Sequence, residues 1–154
     1  MSILDQIYEK AKQNPQRVAF PEAENEKMMQ AAYETGKDGY IIPILVGDAK
    51  KLKDLSEERG YDSSVFRFVD IQEEEYKNKL IGMYVAQPGR FLKEKALARR
   101  MQDPLYYAMV MQAVEEAEVT FAGIDNTTGD VLLAGQMIIG MQPGISTISS
   151  IGLC

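Results

Sequence analysis

Histidine is absent from this chain, and cysteine occurs once, as the final Cys154. The first absence removes the side chain most used as a general base near neutral pH and as a transition-metal ligand. The second excludes an intramolecular disulfide, which fits a reducing, cytoplasmic setting. Together they argue against a zinc site, and no metal is expected. No apolar run approaches the ~20 residues that a membrane-spanning helix requires. The opening MSILDQIYEKAKQNPQR is amphipathic, not a charged segment followed by an apolar one, so it does not read as a signal peptide. Basic charge is also scarce. Seventeen Lys and Arg against 23 Asp and Glu give a formal net charge of −6, which argues against nucleic acid or an anionic membrane surface as partner. Small anionic ligands remain open, because they respond to local charge.

What is present suffices for one domain of 154 residues, 45% of them apolar. Ser2 with Asp5 resembles a capping box, opening a helix with Ile3, Leu4, Ile7, Tyr8 and Ala11 on one face. Arg17–Phe20 reads as a strand. Asn25 can cap a helix to about Thr35, with Gly36 as its stop. Tyr40–Val46 reads as a second strand, which Pro43 demotes toward an edge or a bulge. Asp48 caps a third helix ending at Gly60, and Val65–Ile71 is a third strand. Helices are expected over 72–86, 91–101 and 105–117, the last opened by Pro104. An apolar run at Val119–Ile124 then reads as a buried strand, VLLAGQMIIG as a core-facing helix stopped by Pro143-Gly144, and Thr147–Leu153 as a further strand. Short strands alternating with helices indicate parallel βαβ units and an α/β layered fold. The chain stops directly after this expected strand, which is odd for a finished domain because parallel strands normally need helices covering both faces, so the fold is expected to be incomplete.

Three places can carry chemistry. The turn Asp125-Asn126-Thr127-Thr128-Gly129-Asp130 joins strand to helix, where unpaired backbone N–H groups and two hydroxyls can hold a phosphate or carboxylate. Asp125 and Asp130 bring opposing charge, and an ordinary N-cap cluster is the commoner meaning of this spacing. Phe20-Pro21-Glu22-Ala23-Glu24-Asn25-Glu26 follows the first strand, where α/β folds place ligand loops. Its glutamates are either paired carboxylates for acid–base work or acids complementing a helix dipole, and local spacing favours the second. Arg90, Lys93, Lys95, Arg99 and Arg100 form the one basic cluster, either a steering surface for a phosphorylated ligand or a solvated helix face. Ser149 and Ser150 fall in the last strand, near its carboxyl end. The methionines and Cys154 read as core filler.

Several blocks resemble the phosphate acetyltransferase (phosphotransacetylase) family, with its phosphate butyryltransferase relatives. RVAFPEAENEKMMQAA resembles the family's opening strand, Pro-Glu turn and helix, and IIPILVGD its second strand. Asp103-Pro104-Leu105-Tyr106-Tyr107 resembles its Asp-Pro-x-Tyr-Phe helix start. Thr127-Thr128-Gly129-Asp130-Val131, QMIIG and the Pro143-Gly144…Ser149-Ser150 segment resemble its Thr-Thr-Ala-Asp block and following strand. The resemblance implies a three-layer αβα fold with a mainly parallel sheet, of isocitrate/isopropylmalate dehydrogenase type. It implies the reaction acyl-CoA + phosphate ⇌ acyl phosphate + CoA, with acetyl as the expected acyl group, by direct attack of the CoA thiolate on the acyl carbonyl. Coenzyme A is then a substrate and no cofactor is bound. It also implies two domains, a cleft between them, a homodimer, and small-molecule partners in acyl-CoA, phosphate and acyl phosphate.

On this resemblance residues 1–154 form the N-terminal domain. The second domain, carrying the family's carboxylate base and a serine–arginine pair, is absent, so the isolated chain is expected to be inactive and its catalytic residues are unknown. Substrate-binding residues carried over are Asn126, Thr127, Thr128, Gly129, Arg90, Ser149 and Ser150. Leu133 stands where the family has an anion-binding arginine. A second family arginine falls near Gln87 or Pro88, so Arg90 replaces it only with a local shift. Losing a charge-assisted bond of this kind forfeits ~1.5–3 kcal/mol. The alternative is a non-catalytic phosphate- or CoA-binding, or assembly, module.

Overall fold

The computed structural model describes residues 2–141 and Gly144; the expected strand Thr147–Leu153, with Ser149, Ser150 and Cys154, lies outside the described residues. Helix α1 (Ile3–Gln13) opens on a capping box: Ser2 Oγ accepts from the Asp5 amide at 3.1 Å, and the Asp5 carboxylate accepts from the Ser2 amide at 3.2 Å. Four strands follow in a parallel sheet ordered β3-β2-β1-β4, with β1 Gln16–Phe20, β2 Ile41–Gly47, β3 Arg67–Asp70 and β4 Val119–Thr120. Between them run α2 (Glu26–Lys37), α3 (Ala49–Glu58), α4 (Glu74–Val85), α5 (Glu94–Arg100) and α6 (Pro104–Ala113); α7 (Thr128–Ile138) closes the described chain.

The sheet is covered on both faces, as a parallel sheet must be. Alternation along the strands divides the core in two. Val18, Phe20 and Leu45 join Met28, Met29, Ala32 and Leu52 of α2 and α3, while Ala19, Ile44 and Val46 face Leu80, Tyr84, Tyr107 and Met111 of α4 and α6. The α/β class is as expected.

Three local expectations are corrected, each for a physical reason. Pro43 does not mark an edge: β2 lies inside the sheet between β1 and β3. Pairing with β3 begins only at Ile44, so at Pro43 the strand has a partner on one side alone, and the missing N–H is tolerated. Gly36 does not stop α2, which runs on to Lys37; a Cβ at Gly36 would sit 2.7 Å from Pro43 Cγ, so the glycine permits close approach of helix and strand. The turn instead falls at Gly39, with φ +83°. Finally, the run Val119–Ile124 pairs only over Val119–Thr120, plus one bond from the Phe121 amide to Ala19 O at 2.9 Å. The amides from Gly123 onward turn away from the ladder to a different acceptor.

Candidate functional site

That acceptor is Glu22. In the order β3-β2-β1-β4, the helix after β1 (α2) packs in the core on one face of the sheet and the helix after β4 (α7) in the core on the other. This leaves a crevice between them at the carboxyl ends, where open α/β sheets bind ligands. Glu22 follows β1 on one side and Gly123–Asn126 follows β4 on the other. Glu22 Oε1 accepts from the amides of Gly123 (2.6 Å) and Ile124 (3.1 Å); Oε2 accepts from the amides of Asp125 (2.8 Å) and Asn126 (2.6 Å), and from Asn126 Nδ2 (3.0 Å). Gly123 has φ +118°, a conformation suited to glycine, and it lets successive amides converge on one point. The segment is tied further by Asn25, whose Nδ2 donates to Asp125 Oδ1 at 3.0 Å while its Oδ1 caps α2. Phe121 packs on Phe20 with ring centroids 5.9 Å apart.

Glu22 is 6% exposed and no lysine or arginine pairs with it among the described residues. Burial by itself would raise its pKa. The four backbone N–H bonds outweigh burial and hold the carboxyl below its ordinary value, so it is ionised at neutral pH. A buried charge of this kind survives only when fully hydrogen-bonded.

Beside Glu22 lies a cavity of about 260 Å³ whose lining includes Glu24, Asp48, Asp103, Asp125 and Asn126. Three of these acids are already engaged locally. Asp48 caps α3, Asp103 caps α6, and Glu24 pairs with Lys51 at 2.7 Å. The N-termini of α3 and α6 and the Gly123–Asn126 amides, which would otherwise attract an anion, are therefore engaged by the protein's own carboxylates.

The expected binding residues divide by position. Asn126 gives both its amide and its side chain to Glu22. Thr127 is the N-cap of α7 in a capping box: its Oγ1 accepts from the Asp130 amide at 3.1 Å, and the Asp130 carboxylate accepts from the Thr127 amide at 3.4 Å. Thr128 and Gly129 occupy the exposed first turn. These four are together. Arg90 is not with them. Its Nη1 donates to Ile138 O (2.9 Å) and Ile139 O (2.8 Å), its Nε donates to Gln87 Oε1 (2.9 Å), and its guanidinium lies 4.7 Å from the Tyr84 ring centroid. It caps the far end of α7, about 16 Å from the Thr127 turn for a helix of 11 residues. Of the other basic residues, Arg100 lies over the Tyr106 ring at 5.5 Å. Leu132 and Leu133 are exposed at 41% and 52% on the outer face of α7, whose Ala134 and Ile138 are buried.

The residue that sequence reasoning passed over is Glu22. Its placement at the carboxyl end of the first strand pointed to the right loop, but spacing alone reads its acid as a complement to the α2 dipole. The Asn25 side chain already caps α2, and Glu22 reaches across the crevice instead.

Comparison with known proteins gives a consistent picture. The sequence model of the family described as phosphate acetyl/butaryl transferase matches residues 2–154. A phosphate acetyltransferase of Acetivibrio thermocellus is 29% identical over 152 residues, covering 97% of this chain and 45% of that protein. One of Staphylococcus epidermidis is 27% identical over 136 residues, covering 88% and 41%. Among solved structures, the EutD phosphotransacetylase from Staphylococcus aureus superposes with a TM-score of 0.82 at 23% identity, covering 94% of this chain and 44% of that one. A phosphotransacetylase from Streptococcus pyogenes gives 0.81 at 21%, covering 96% and 46%. At these identities the structural likeness shows the fold. The chain spans less than half the length of the relatives it matches.

Proposed function

The chain belongs to the phosphate acetyl/butaryl transferase family, and from that premise we propose that it forms the first wall of an acyl-transfer cleft, serving acyl-CoA + phosphate ⇌ acyl phosphate + CoA. The observation that carries this reading is the exposed Thr127–Gly129 turn at the start of α7, beside the sheet's switch point, whose Thr127-Thr128 pair resembles the family's Thr-Thr block. There the α7 N-terminus and the hydroxyls of Thr127 and Thr128 offer positive potential and hydrogen bonds to phosphate oxygens. The exposed Leu132–Leu133 face is the side on which a second domain completes the cleft. A homodimer and a cytoplasmic setting accompany the reading.

The chain holds only part of the chemistry. The wall around Glu22 is acidic, and the one arginine carried over as a binding residue, Arg90, is engaged at the opposite end of α7. Stabilising a dianionic phosphate in transfer needs cationic donors, and on this reading the second half supplies them. Isolated residues 1–154 are expected to give no acyl phosphate from acetyl-, propionyl- or butyryl-CoA and phosphate in a hydroxamate-trapping assay. Robust turnover would overturn the half-site reading. Leu133, in place of an arginine, favours a second reading, a binding module without catalysis. Calorimetry with CoA and with phosphate separates the two: binding without turnover supports the module, and no binding supports a half-site that needs its other domain.

A further inference from the structure

A carboxylate buried at the switch point with donors on both oxygens is a poor proton acceptor. Four amides and one side-chain amide already occupy its lone pairs, and they hold its pKa down. Its geometry suits a structural role in the site. We propose that Glu22 is a positioning residue, a resident anion around which the Gly123–Asn126 amides assemble, so that its carboxylate fixes where α7 begins and how the Thr127–Gly129 turn is presented.

The chain between clamp and helix is short. Asn126 donates twice to Glu22, and the next residue, Thr127, is the α7 N-cap. The direction of the first turn of α7 is thus set one residue from the clamp. Beyond the clamp, the two paired residues of β4, the Phe121 amide bond to Ala19 O and the Asn25–Asp125 side-chain bond also tie the segment, but none of them engages the Gly123–Asn126 amides, which are held by Glu22. Nor does an ion pair contribute, because charge compensation at Glu22 comes from backbone and Asn126 dipoles. If the carboxylate is removed, four N–H groups remain aimed at one vacant point, and such a cluster is itself an anion site. In the intact chain this site is closed to a free phosphate by the protein's own anion. Phosphate then meets α7 at Thr128 and Gly129, and this last step alone rests on the proposed function.

The test uses the whole 154-residue chain, with backbone resonances followed by NMR. In Glu22→Ala, amide exchange of residues 123–126 should accelerate at least tenfold more than that of core amides such as Ala19 and Leu45. Sodium formate, which supplies the missing carboxylate, should restore their protection, whereas sodium chloride at equal ionic strength should not. Loss of protection spread evenly over the chain would reduce Glu22 to a general stabilising residue and overturn the proposal, as would formate having no effect. If Glu22→Ala does not fold, the unaltered chain still decides. Titration of the Glu22 carboxyl should move the Gly123 and Asn126 amide resonances in step with it, below the ordinary glutamate range, and independence of the two would overturn the proposal. Inorganic phosphate separates this inference from the function. It should shift Thr128 and Gly129 in the unaltered chain and residues 123–126 in Glu22→Ala. Silence at Thr128 and Gly129 in the unaltered chain defeats the substrate reading and leaves the clamp to be judged by formate.

Discussion

The two ends of α7 are held by opposite charges in different ways. Near its N-terminus, Glu22 is buried and takes five N–H donors from the turn that leads into the helix. At its C-terminus, half-buried Arg90 gives two bonds to Ile138 O and Ile139 O, and the buried Tyr84 hydroxyl adds a third to Ile138 O at 2.6 Å. Both signs match the helix dipole. The difference lies in redundancy. The carboxylate is the common acceptor for one whole turn, whereas at the other end Ile138 O has two donors and keeps one if the other is lost. The N-terminal end should therefore be brittle and the C-terminal end forgiving.

The largest expected effect follows from the brittle end. Glu22→Gln keeps the shape but presents an NH2 group to two converging amides, and should cost about 2–4 kcal/mol in urea unfolding. Arg90→Ala should cost about 1 kcal/mol. Equal losses in the two variants would break the comparison. The same Glu22 variant tests the acid limb. Because the folded-state pKa of Glu22 lies below its ordinary value, its contribution is fully present above pH ~4.3 and is lost as pH falls through the folded value. Glu22→Gln should flatten that part of the stability–pH curve, and an unchanged acid limb would show that the charge is immaterial.

Next in size is the coupling at the forgiving end. Tyr84→Phe and Arg90→Ala should each cost about 1 kcal/mol, since each leaves Ile138 O with one donor. The double variant should exceed their sum by about 1 kcal/mol, because it strands a buried carbonyl. Strict additivity would mean the two donors are not alternatives. The smallest effect is expected at the cap between the two ends. Thr127→Ala removes the acceptor for the Asp130 amide and should cost about 1 kcal/mol or less, read as a lower urea midpoint with an unchanged slope.

Much of the fold was legible in local pattern. Ser2, Asn25 and Asp48 each cap the helix that their spacing announced, because a side-chain cap is satisfied within two or three residues. The alternation of strands and helices gave the parallel α/β class for the same reason. Pro43 and Gly36 were misread together. One is tolerated because β3 starts one residue later, and the other is required because Pro43 presses against it, and both facts belong to the neighbours. Arg90 sits in a basic run in the sequence, yet its Nη1 donates to carbonyls 48 and 49 residues away.

By itself the sequence determined the class of fold, the family, and the turn at Thr127–Gly129, since each of these is written in short spacings or in blocks that keep their order along the chain. Only the tertiary structure decided what that turn leans on. Glu22 and Asn126 are separated by 104 residues and meet because β1 and β4 are neighbours in the sheet. No local rule can tell a glutamate that caps its own helix from one that crosses a crevice to order another. The choice is made by desolvation: once Glu22 is buried, it must find enough N–H donors to keep its charge, and the turn after β4 is where they are.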